Sequence, residues 1–333
     1  MILVFTPVIQ SSEVACILST RRDYFKGSGI SCNLEKSLVL SENGTKLINV
    51  KNENVTEFIG ENISGLEDLP EDIGEVFKNL DLFRLVNSSL KSINKKNFRG
   101  MLKVTYMNLE ENSIELIDAD TFDDMESLLT LKLEENKISS LHPDTFSKLY
   151  KIEYIHLDGN QLTTLDPDTF KHNKKLVYLT VNENKLTSLD VNLFDSLTNL
   201  KLFRVIDNEI SSLHSELLRK PIGLEAAYFS KNKISEIPVE LFSSLTFLEE
   251  VDFADNPLEL IDFALFKDNK RINLVSFDGV EIKKILNIEE IDNLNQLKSI
   301  QFTKSGDSCV KNLYNLIERE KLKQDVTENC VTN

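Results

Sequence analysis

The chain has 333 residues, 41% of them hydrophobic, a net charge of −16 and a pI near 4.8. A surface this acidic repels phosphate backbones and anionic lipid, so nucleic acid and anionic membrane are poor partners. No stretch of roughly 20 apolar residues occurs, so no membrane span is expected.

The first residues are apolar from Ile2 to Ile9, and 1–15 are expected to be a secretory signal cut after Ala15. The fit is imperfect. No basic residue precedes the run, Pro7 interrupts it, and Glu13 stands where a small residue is preferred. A truncated start gives the same appearance. Residues 16–55 are expected to form an N-terminal cap. Within it, 37–40 and 46–50 flank Asn43-Gly44, a dipeptide suited to positive φ, and read as a hairpin.

The cysteines fall at the two ends: Cys16 and Cys32, then Cys309 and Cys330. Even parity and grouping by end predict two local disulfides and an oxidising compartment. Reduced, buried thiols are the alternative. Neither group has CxxC spacing or a nearby His, which disfavours zinc.

Residues 56–303 are repetitive. An apolar residue begins each unit at Leu80, Val104, Leu128, Ile152, Leu176, Leu200, Leu224, Leu248 and Ile272, each 24 residues apart. A fixed period of this size marks stacked repeats. A degenerate unit precedes them from about Thr56, with Ile59, Leu66 and Leu69 as its core residues. Another follows at Leu297, Ile300 and Phe302, one residue out of register. Apolar positions one, four and six predict a short strand pairing in parallel with its neighbours. The ninth position is Asn in Asn112, Asn136, Asn160, Asn184, Asn208, Asn232 and Asn256. A buried amide there is expected to satisfy backbone groups of its own turn and the adjacent one. The nineteenth is Phe98, Phe122, Phe146, Phe170, Phe194, Phe242 and Phe266, with Leu218 the exception. Those rings are expected to form a spine on the convex side. One unit cannot offset its own ordering entropy, so the units must share buried faces.

Residues 304–333 are expected to be a C-terminal cap. From Cys309 to Gln324, Val310, Leu313, Tyr314 and Ile317 share one helical face, which reads as a lid on the last repeat. A free partner-binding helix is the alternative.

The unit LxxLxLxxNxLxxLxxxxFxxLxx resembles the 24-residue, extracellular type of leucine-rich repeat. Toll-type receptor ectodomains and small secreted repeat proteins of dipteran insects carry it. The resemblance covers about Thr56 to Phe302. It implies an α/β solenoid, a horseshoe with a concave parallel β-sheet and an irregular or 3-10 convex side. It also implies ligand binding rather than catalysis. The ends depart from the family pattern: Asn256-Pro257 has no Cys soon after it, and each end holds fewer cysteines than the family caps.

The repeat register turns the third, fifth, seventh and eighth positions out of the sheet. Candidate ligand-binding residues on this concave face are Tyr106, Lys132, Tyr154, His156, Tyr178, Arg204 and Tyr228. Tyrosine and arginine favour binding hot spots because they bring large area at low entropy cost. Tyrosine is also simply a good strand residue. Beside them the paired carboxylates Glu110-Glu111 and Glu134-Glu135 read as an exposed, solvated acidic rim, with weak gathering of Ca²⁺ as the alternative. Thr130, Lys132, Glu134 and Glu135 read as free of structural duty.

No metal, cofactor or catalytic residue is expected. His142 and His214 share a repeat position, but three strands at ~4.8 Å separate them by ~14 Å, too far to share an ion. No Ser-His-Asp register, nucleotide loop or HExxH occurs. Four sequons, at Asn43, Asn54, Asn62 and Asn87, are expected glycosylation sites if the chain is secreted. The functional expectation is a secreted, non-enzymatic protein that binds a protein ligand, in innate immune recognition or cell-surface signalling. The alternatives are adhesion or extracellular matrix assembly, and an intracellular scaffold if the N-terminus is not a signal. Oligomeric state is left open.

Overall fold

The structure, a computed structural model, describes residues 73–301 throughout, together with 55–62, 66–69 and 71. Of the strands Ile2–Phe5, Glu13–Val14, Cys16–Ser19, Ile30–Leu34 and Lys46–Leu47 it gives the backbone. Ile2–Phe5 runs antiparallel to Cys16–Ser19 and parallel to Ile30–Leu34. Lys46–Leu47 runs parallel to Glu13–Val14. The other arm of the expected hairpin, Ala15, Asn43, Asn54, the four cysteine side chains, and all of 302–333 with the expected lid helix lie outside the described residues.

Two compact units divide the chain. The first is 1–162 with 168–176, the second 163–167 with 177–333. In the first, Val55–Glu61, Leu82–Val86, Tyr106–Asn108, Thr130–Lys132 and Tyr154–His156 pair in parallel. Leu82 aligns with Tyr106, Tyr106 with Thr130 and Thr130 with Tyr154, so every repeat is in phase. Successive strand side chains point to opposite faces. Phe83, Met107, Leu131 and Ile155 therefore enter the core, each wholly buried, while the third and fifth positions face outward.

The degenerate first unit corrects one expectation. Phe58, not Ile59, is its core residue. Phe58 aligns with Phe83 and is buried, and the two rings stack at 4.7 Å. Ile59 aligns with Arg84 and is only partly covered. The step from this strand to the next is one residue longer than the repeat, and a one-residue slip exchanges the two faces. Leu66 and Leu69 are buried as expected.

In the second unit Tyr178–Thr180, Leu202–Arg204, Ala226–Tyr228, Glu250–Asp252, Leu274–Ser276 and Ser299–Gln301 pair in parallel. The last step aligns Val275 with Ile300, one residue beyond the period, as the shifted final unit predicts.

Behind each sheet the chain runs mainly through turns. Among the described residues helix occurs at Ile73–Val76 and Lys95–Phe98, with 3-10 pieces at Phe263–Phe266 and Ile288–Asn293. Lys95–Phe98 starts where it does because Asn94 caps it: Lys96 N donates to the Asn94 side chain, and Asn94 N donates to Asn97 Oδ1. The phenylalanine spine lies behind the sheet. In the first unit Phe98, Phe122, Phe146 and Phe170 stack at centroid spacings of 5.9, 6.2 and 5.9 Å. In the second, Leu218 interrupts it. There Phe203 and Phe229, the latter just past its strand, carry the aromatic contact, edge-on to each other at 6.0 Å.

The ninth-position amides make the bonds their pattern predicts. Asn136 Nδ2 donates to Leu109 O of the preceding repeat at 3.0 Å and to its own turn at Leu133 O and Glu134 O. Its Oδ1 accepts from Ile114 N at 3.0 Å. Asn160, Asn208, Asn232 and Asn256 also donate across a repeat boundary and accept from the repeat before. Ser88 and Val280 hold the equivalent places at the two ends, so the ladder stops there.

The eighth position is left-handed in every repeat where it is described: Asn62, Asn87, Glu111, Glu135, Gly159, Glu183, Asp207, Lys231, Asp255 and Gly279 all have positive φ. At Gly159 a Cβ would collide with the Glu135 carboxylate, so glycine answers both the backbone and the crowding there.

Candidate ligand-binding face

The seven candidate residues occupy the third and fifth strand positions, and all are partly exposed. Each compact unit holds its own group.

In the first unit Lys132 stands between two carboxylates, 3.0 Å from Glu134 Oε1 and 3.4 Å from Glu110 Oε2. Partial burial alone would lower the Lys132 pKa. The bond to Glu134 and the charges of Glu134 and Glu110 outweigh it and hold the ammonium above its ordinary value. Burial pushes the Glu134 carboxyl up despite its bond to Lys132. Glu134 is therefore not an exposed rim acid: its side chain is only 13% exposed, and Oε2 is buried without a hydrogen-bond partner. Lys132 and Glu134 are likewise not free of structural duty. Next to them, burial and then the Lys132 charge lower the His156 pKa, against the opposing pull of Asp158 and Glu110. The neutral imidazole is thus favoured. Tyr106 and Tyr154 flank this charged group on neighbouring strands.

In the second unit the Arg204 guanidinium lies over the Tyr228 ring, 4.7 Å from its centroid. Tyr228 hydroxyl donates to Glu250 Oε2 at 2.5 Å. Burial and then this bond push the Tyr228 pKa up to about 12. Arg204 Nε is buried without a partner. Tyr228 is thus engaged at both its face and its hydroxyl. Tyr178 shares the outward face, at the strand before Leu202.

The sequence reading placed these strand positions but missed how they join. Alternation tells which way a side chain points. It does not tell that fifth-position and seventh-position groups of adjacent repeats meet, which is what links Lys132 to Glu110. The signal was present as the 22-residue spacing of Glu110 and Lys132.

Of the glycosylation candidates, Asn62 and Asn87 are described. Both are exposed, and Asn87 Nδ2 donates to Asn62 Oδ1 at 2.8 Å.

Family comparison agrees with this geometry. A leucine rich repeat model matches residues 78–138 and 128–186, and a BspA type leucine rich repeat region in six copies matches 163–290. The chain is a leucine-rich repeat protein. No curated protein matches it in sequence. Among solved structures, the Toll–Spätzle complex of Drosophila superposes with a TM-score of 0.72 at 20% identity, over 82% of this chain and 39% of that one. A TLR13–ssRNA13 complex gives 0.65 at 16% identity, over 76% and 44%. The leucine-rich repeat domain of APL1B gives 0.56 at 17% identity, over 80% and 88%. The chain thus spans less than half the length of the Toll and TLR13 chains. Identities this low speak to the fold alone. Among the described residues no helix is long and apolar enough to cross a membrane.

Proposed function

We propose that this chain is a secreted leucine-rich repeat protein, of the 24-residue extracellular type, that binds a protein ligand on the outward face of its sheet. The observation that carries this reading is the face itself. Partly exposed tyrosines and cations stand on strands whose backbone is held by parallel pairing and buried amides. Such side chains lose little entropy on binding, because their framework is already ordered. Binding rather than catalysis fits the fold. The charge of −16 favours a protein ligand over a polyanion. The Toll–Spätzle complex is a molecular hub in Drosophila development and innate immunity. That likeness supports a role in immune recognition or cell-surface signalling, as does the resemblance to secreted dipteran repeat proteins. Disulfides Cys16–Cys32 and Cys309–Cys330 and glycans on Asn43, Asn54, Asn62 and Asn87 belong to the same reading. Four reactive thiols in denatured, unreduced protein would contradict the extracellular part.

The test of the face is a panel of extracellular proteins screened against the purified chain. A binder found there should lose at least tenfold in affinity to the double variant Tyr154→Ala, Tyr178→Ala. Unchanged affinity would place the contact elsewhere.

A further inference from the structure

Glu134, His156 and Asp158 each offer one ligand atom, and the three atoms lie within 4.8 Å of one another. Their setting repeats an arrangement found one repeat earlier. There the fifth-position cation Lys132 stands between the seventh-position carboxylates Glu110 and Glu134, at 3.4 and 3.0 Å. His156 is the next fifth-position residue, and Glu134 and Asp158 are the seventh-position carboxylates on either side of it. The ammonium of the first copy is replaced by an imidazole. The second copy therefore brings two carboxylates and a nitrogen donor together. Glu134 Oε2 is buried without a hydrogen-bond partner, on a side chain whose other oxygen already takes Lys132.

We propose that Glu134, His156 and Asp158 bind one divalent transition-metal ion of the zinc type. One imidazole nitrogen and two carboxylate oxygens suit a borderline ion, leaving a fourth position open on the outward face. Calcium takes six to eight oxygens and magnesium a near-ideal octahedron, so neither fits three donors that include a nitrogen. Tetrahedral zinc holds its ligand atoms about 3.4 Å apart at bonds of about 2.1 Å, so the three side chains must close slightly. All three are partly exposed, which leaves them room to do so. Lys132 opposes the ion. Glu110 pairs with Lys132 at 3.4 Å, and the Glu135 carboxylate borders Gly159 next to Asp158. The site needs no protein ligand, so its failure would leave the proposed function standing.

The probes are Zn²⁺ by titration calorimetry and Co²⁺ by visible absorption, each alone with the full chain at pH 7.5. The expected result is one ion per chain with Co²⁺ bands free of thiolate charge transfer, which separates this site from the cysteines. His156→Gln and Asp158→Asn should each weaken binding tenfold or more, and His142→Gln should leave it unchanged. Lys132→Met should tighten binding severalfold, a gain that misfolding cannot imitate. The proposal is overturned if the chain takes up no stoichiometric ion. It is equally overturned if His156→Gln binds as the parent does, or if Lys132→Met gives no gain.

Discussion

Lys132 and His156 occupy the same place in successive repeats and behave oppositely. Lys132 gains two carboxylate partners and keeps its charge, while His156 is desolvated beside that charge and takes up its own less readily. The second effect makes stability depend on pH. The folded His156 has a pKa below the ordinary 6.5, so the folded state binds fewer protons than the unfolded state. Its contribution is intact above about 6.5 and is lost as pH falls toward the lowered folded value. Thermal melts at pH 7.5 and 5.5 should show a drop in Tm that is smaller in His156→Gln than in the parent. Glu134, raised by burial, acts with the opposite sign above its ordinary 4.5, so only the difference between parent and variant isolates His156. None of this is written in a single residue. Strand alternation announces that His156 faces outward; the lowering of its pKa depends on its burial and then on Lys132, which is 24 residues away.

At the scale of the element, legibility follows hydrogen-bond geometry. The ninth-position amide is readable because its task has few chemical solutions: a donor and an acceptor facing backbone groups of two repeats at once. The eighth position has a fixed backbone but little residue preference. Glu, Asp, Asn, Lys and Gly all accept its left-handed conformation, so the column is silent in sequence. Phe58 was misread for a third reason, since one extra residue before Phe83 moves the whole strand to the other face. Polar residues in the core divide the same way. Asn208 bonds to Val181 O of the preceding repeat at 2.9 Å and accepts from Leu186 N at 3.0 Å, whereas Thr145 Oγ1 is buried with no partner. Asn208→Ala should therefore destabilise the chain by about 1–3 kcal/mol, the cost of stranded buried groups. Thr145→Val, nearly isosteric and relieved of a buried hydroxyl, should be neutral or stabilising by about 1 kcal/mol. Urea titration of both variants checks the contrast.

On the scale of the whole molecule, the parallel register makes each repeat present the same faces to both neighbours. Removing 200–223 would bring Leu224 to the place of Leu200 and Asn232 to the place of Asn208. The shortened chain should keep its circular-dichroism spectrum per residue and unfold in one transition, at somewhat lower urea. Loss of cooperative unfolding would show that the repeats are less interchangeable than their bonding implies. Many lateral ion pairs span one repeat, among them Lys91–Glu67, Lys201–Glu225 and Lys233–Glu209, at 2.7, 2.8 and 2.7 Å. They are exposed and contribute little individually. Register rests on the interior.

The amide ladder also limits how such a gene can change. Between Asn112 and Asn256 a chain altered by one residue would move an amide off its partners in both directions, so length there is inherited in whole steps. The two steps one residue longer than the period lie beyond the ladder, one leading into the repeat that carries Ser88 and the other leaving the repeat that carries Val280. Irregular lengths accumulate where no amide counts residues. Descent can therefore duplicate or discard interior repeats while the outward face is re-lettered, and the ends absorb whatever does not divide evenly.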